Sequence, residues 1–184
     1  VSMNEAVAVT NNSSLERVCT FFDLINKYFS KIPENSFCEL AENVLKNSIL
    51  LVRKNQKTVS EVTSVQTACV SILSDCHWTR ASSVMLDFFE FSKELFENES
   101  TFAKDSPKIS EEDFACVIKS LANTAPFDSV PALIAYLESL NARVEKFEDV
   151  SETVALAVIN TLGAIGDKAA FDTLLGVTYF AYPQ

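Results

Sequence analysis

Thr153 to Pro183 reads TVALAVINTLGAIGDKAAFDTLLGVTYFAYP, two apolar stripes separated by the break Gly166-Asp167. Val154, Val158, Leu162 and Ile165 recur at steps of three and four, the helix period, and Ala155, Ala157 and Ile159 widen the stripe. Gly166 suits a helix C-terminus, where a left-handed backbone costs Gly little. Asp167 suits the cap of the next helix. Phe171, Leu174, Leu175, Val177 and Phe180 form a second stripe, and Pro183 stops it. A two-helix hairpin that is apolar on both sides needs a neighbour of the same kind. This stretch therefore dictates helices packed on helices.

The rest of the chain repeats the arrangement. Ile118, Leu121, Leu133 and Ile134 fall on Ile159, Leu162, Leu174 and Leu175 with a constant shift of 41 residues. Val70, Leu73, Met85 and Leu86 fall on the first four with a shift of 48, lengthened by the stretch Asn98 to Ser110. Periods of this size mark stacked supersecondary units. The expected helices are about Leu15 to Lys31, Phe37 to Lys54, Thr58 to Ser74, Thr79 to Glu97, Glu111 to Thr124, Asp128 to Ala142, Ser151 to Ile165, and one after Asp167. Start signals support several of them. Thr58 and Glu61 fit a capping box, and Ser110 precedes Glu111, Glu112 and Asp113. Pro131 falls in a first turn, where its missing N–H does no harm. Only three Gly and five Pro occur in 184 residues, too few turn residues for a sheet-rich fold.

The segment LGAIGDKAAFDTLL, within Val154 to Leu175, resembles the HEAT-like repeat of the type found in phycobilisome lyases. The resemblance implies an all-α, right-handed α-solenoid of about four antiparallel hairpins, a superhelix used mainly for binding. Residues 1–12 are expected to be a flexible arm and residues 13–184 a single solenoid domain. Because the sequence stops just after a hairpin that does not look like a polar cap, it is expected to belong to a longer protein.

Charge limits the partners. The net charge is −10, so the long-range field repels nucleic acids and anionic membranes. No stretch approaches the roughly 18 apolar residues of a membrane span. The basic run Arg53-Lys54-Asn55-Gln56-Lys57 reads as a solvated helix end. Much of the acidity is local: from Asp87 to Asp113 nine acids stand against three lysines, a net of −6.

Few residues suggest chemistry. Five Cys without a Cys-x-x-Cys pair, together with a single His, do not match a zinc site. Most of the Cys lie on apolar helical faces, where they act as small hydrophobes, and reduced thiols favour a reducing compartment such as the cytoplasm. Cys76 and His77 are adjacent, but a nucleophile and its base need mutual orientation that neighbours in sequence rarely have. Trp78 reads as a plug at a repeat junction, or as a binding anchor if exposed. Asp87, Glu90, Glu94 and Glu97 share one helix face. That row reads as a solvated face, with an acidic strip steering a basic protein partner as the functional alternative. No Glu-x-x-His element or phosphate-cradling Gly loop accompanies it, so no metal, cofactor or small-molecule substrate is indicated. The expected function is a non-enzymatic protein-interaction scaffold. The alternatives are an enzyme on the same scaffold, lyase- or glycosylase-like, and a purely structural oligomerisation domain.

Overall fold

Gly166 ends its helix with φ 70° and ψ 25°, and its N–H returns to the Leu162 carbonyl at 3.0 Å. The Asp167 carboxylate then accepts the Ala169 N–H at 2.8 Å. The helix end and the new start expected from the sequence are thus made by the two residues at the break. A computed structural model of the chain describes residues 35–97 and 109–179. The proposed arm, the helix Leu15 to Lys31, most of the Asn98 stretch and Pro183 lie outside the described residues.

Among the described residues there are seven α-helices, two short 3-10 turns and no strand. The helices are α1 (Asn35–Arg53), α2 (Val59–Asp75), α3 (Ser82–Phe96), α4 (Glu111–Thr124), α5 (Val130–Glu145), α6 (Glu152–Ile165) and α7 (Phe171–Val177). The 3-10 turns Thr79–Ala81 and Lys168–Ala170 lead into α3 and α7. No described helix is long and apolar enough to cross a membrane.

Local chemistry sets most of the boundaries. Ser110 accepts the Asp113 N–H at 3.1 Å, and Ser151 accepts the Val154 N–H at 3.3 Å. Each thereby satisfies a donor that a helix start would leave unpaired. The Glu61 carboxylate accepts the Thr58 N–H at 2.8 Å and the Lys57 ammonium at 2.9 Å. Helix ends use another device. After α1, α2 and α5 the chain turns through Asn55, His77 and Phe147, all with positive φ. In each case two returning N–H groups close the last turn, for example His77 to Ser74 and Trp78 to Leu73, both at 3.0 Å. This is the Schellman closure, made here without glycine.

Packing follows a fixed pattern. Helix α1 packs on α2, α3 on α4, and α5 on α6. The even helices form one row of contacts, α2 to α4 to α6. The odd helices also meet, α1 with α3 and α5 with α7. Helices α3 and α5 are joined through aromatic rings: Phe89 lies 5.9 Å from Tyr136, edge to face, and 5.9 Å from Phe114 of α4. Phe96 stacks on Phe114 at 5.1 Å. The crowding of Phe on α3 thus builds the core junction of three helices.

The equivalent positions behave alike in part. Val70, Leu73, Met85, Ile118, Leu121, Leu133 and Leu162 are buried, while Ile159 and Leu174 are half-buried against the core. The last hairpin departs from the sequence reading. Helix α7 has no fully buried residue, and Phe171 and Leu175, expected in its apolar stripe, are exposed. The period placed them correctly on a helix, but α7 has fewer neighbours to cover it. Helix α5 also runs three residues past the expected Ala142, because Val144 packs against the core.

Candidate functional site

The acidic row forms on α3 as the spacing predicts, but it is not freely solvated. Asp87, Glu90, Glu94 and Glu97 are all half-buried. Arg53, at the end of α1, lies 2.8 Å from Asp87. Lys93 lies 2.5 Å from Glu90 within the same helix. Arg143, near the end of α5, lies 3.8 Å from Glu97 and 3.6 Å from Glu148, and also donates to the Asp149 carbonyl at 2.7 Å. Glu94 has no ion-pair partner among the described residues. Cations from both neighbouring odd helices therefore neutralise much of the row and tie α1, α3 and α5 together.

Arg53 corrects the reading of the basic run as a solvated helix end. Its guanidinium pairs with Asp87 and sits 5.9 Å from the centre of the Phe91 ring. Arg suits this double contact because its planar group is weakly hydrated and stacks on rings. The partner lies 34 positions away in sequence, so local charge patterning could not reveal it.

Trp78 does not join the row. It is 9% exposed, and its indole N–H donates to the Glu42 carboxylate of α1 at 3.0 Å. The Arg80 guanidinium lies 5.2 Å from the ring centre. The ring occupies the junction between α1 and the turn before α3, so it presents no open aromatic face. Next to it, His77 is exposed in a left-handed conformation, while Cys76 is half-buried against the core. The two residues weighed as a dyad thus face different surroundings. Among the described residues no group of three His, Cys, Asp or Glu side chains is arranged to hold a metal.

Two surface features emerge in the structure, the first unforeseen in the sequence and the second in line with a last hairpin that does not look like a polar cap. One is an apolar cleft of about 170 Å³ between α2, α3 and α4, walled by Val59, Val70, Phe88, Phe91 and Val117. Ser92 borders the cleft, and its buried hydroxyl has no hydrogen-bond partner. The helix period marked Phe88 and Phe91 as core, but it could not show that three helices leave space beside them. The other feature is the outer side of the last hairpin. Leu156 is 47% exposed where its equivalent Ala115 is 1% exposed, and Phe171 is 65% exposed where Val130 is 3% exposed. Leu175 and Tyr179 add to the exposed apolar surface there. The 41-residue shift identified these positions as equivalents, and the difference in cover only becomes visible in three dimensions.

In comparisons with known proteins, no family model, no curated protein and no solved structure matches this chain. Its function is therefore read from its own residues.

Proposed function

We propose that the chain is a non-enzymatic protein-binding module built as a HEAT-like α-solenoid. The observation that carries this reading is the uncovered apolar side of the last hairpin. Leu156 and Phe171 occupy the positions that the preceding layer fills with the buried Ala115 and Val130. In a stack of repeating units, such positions are covered by the next layer or by a partner, and exposed apolar clusters are typical of interaction surfaces. The solenoid reading is supported by the row of contacts α2 to α4 to α6 and by the recurring pairings α1 with α2, α3 with α4, and α5 with α6.

The acidic strip plays a smaller part in this proposal than charge alone suggested. With Asp87, Glu90 and Glu97 paired, Glu94 is the carboxylate left to meet a basic partner. Long-range attraction from the net charge of −10 still favours basic proteins.

The test is site-specific photo-cross-linking in cells. A photoreactive residue replaces Leu156 or Phe171 in turn, and a control replaces exposed Ser83 on α3. The proposal predicts one defined protein adduct from both apolar sites and none from the control. Leu156→Asp in the Phe171 probe chain should abolish the adduct while the circular dichroism melt stays unchanged. Equal labelling from all sites removes the proposal. Charge reversal by E90K and E94K then isolates electrostatic steering, expected to slow association at low salt and to matter little at high salt.

A further inference from the structure

Helices α2 and α3 each pack on α4, and the cleft of about 170 Å³ lies where the three meet. Its apolar walls include Val70 of α2, Phe88 and Phe91 of α3, and Val117 of α4. The two rings are stacked, 6.1 Å apart and inclined at 24°. Side chains that border empty space forfeit the contacts a filled core would give them. An apolar space of about 150 Å³ admits one benzene ring. The cleft is therefore the size of a single small ring, too small for a peptide helix or a long acyl chain.

Ser92 lines the same space. Its hydroxyl oxygen is buried and has no hydrogen-bond partner. The other polar side chains around the cleft are already served. Thr63 donates to the Val59 carbonyl at 2.8 Å, and Thr67 to the Thr63 carbonyl at 3.0 Å. The Gln66 amide donates to the Ser48 hydroxyl at 3.0 Å, Asp113 accepts from the Ser110 hydroxyl at 2.9 Å, and Ser71 is exposed to water. A lone buried hydroxyl is a standing cost that a bound molecule with one polar atom would remove. A serine hydroxyl turns about a single torsion between staggered positions, so it can meet such a molecule without backbone movement.

Charge narrows the class of ligand. Among the described residues no Lys, Arg or His lines the cleft, whereas the Asp113 side chain does. An anion would give up its hydration there, find no cation and meet a like charge. We infer that the cleft between α2, α3 and α4 binds a small neutral ring compound carrying one hydroxyl, with the ring against Phe88 and Phe91 and the hydroxyl bonded to Ser92. The site shares no residue with the apolar side of the last hairpin, so it stands or falls independently of protein binding there.

Phenol is the probe, toluene its equivalent of similar size without the hydroxyl, and benzoate its anionic counterpart. Each is titrated into the full 184-residue chain while amide and methyl shifts are followed by NMR. Phenol should give saturable shifts confined to the facing parts of α2, α3 and α4, with an affinity about tenfold above that of toluene, the worth of one hydrogen bond to a buried group. Benzoate should give none. In S92A, which removes a hydroxyl that bonds nothing and so keeps the fold, phenol and toluene should bind alike. T67W sets a large ring beside the cleft from an exposed position and should abolish phenol binding. The inference is overturned if phenol gives no saturable shifts, if toluene or benzoate binds the unaltered chain as tightly as phenol, or if the preference for phenol survives in S92A. Phenol shifts left intact by T67W overturn it as well.

Discussion

Arg53 and Asp87 meet at 2.8 Å across α1 and α3, with the Phe91 ring beneath the guanidinium. The Arg53 and Asp87 side chains keep 32% and 44% of their exposure, so water and salt screen the pair. A double-mutant cycle with Arg53→Met and Asp87→Asn should give a coupling of about 0.5 kcal/mol. Urea melts at low and at 1 M salt measure it, and the coupling should shrink at high salt. A value unchanged by salt would assign the contact to packing on Phe91 instead.

Phe147 ends α5 with φ 60° while 98% exposed. A bulky side chain in the left-handed region costs about 1 kcal/mol relative to glycine, and here no burial offsets it. Phe147→Gly should therefore raise Tm by roughly 2–4 °C. His77→Gly should act in the same direction at the end of α2, where φ is 49°. Differential scanning calorimetry reads both.

Buried hydroxyls supply a pair of opposite expectations. Ser92 Oγ is buried without a partner, so Ser92→Ala should stabilise the fold by about 1 kcal/mol. Ser48 Oγ donates to the Leu45 carbonyl at 2.7 Å and accepts the Gln66 amide at 3.0 Å. Ser48→Ala strands the buried Gln66 and should cost about 1–3 kcal/mol. Chemical denaturation of the two variants side by side checks the sign of each.

Glu61 gives a pH dependence. The Thr58 N–H, followed by the Lys57 ammonium and the Thr58 hydroxyl, holds its carboxyl at about 2, below the ordinary 4.5. A folded value lower than the unfolded one means that the contribution is fully present above pH 4.5. It is lost as pH falls from there through about 2. Carboxyl chemical shifts followed by NMR should show Glu61 titrating at about 2, below the ordinary 4.5. In Glu61→Gln the start of α2 should melt without that acid step.

Much of the helical framework was legible because its causes are local. Ser110, Ser151, Thr58 with Glu61, and Gly166 announce helix ends within four residues, and each does so in the structure. The site was less legible because its causes are distant. The cations that pair with Asp87 and Glu97 come from α1 and α5, and Trp78 is buried by a carboxylate 36 residues earlier. Periodicity marks which face of a helix is apolar, but it does not count the neighbours available to cover it. That is why Phe171 and Leu175 looked like core and are exposed.

Helix α7 holds on with half-buried side chains only: Leu174 and Val177 touch the core, and Thr173 reaches Glu138 at 3.3 Å. Its amides should be the first of the seven helices to trade protons for deuterium, well before those of α4, whose Phe114 lies at the centre of the ring cluster. Opening would then run inward from this edge like a seam coming undone, and anything that grips the outer hairpin would slow the loss along the whole row behind it.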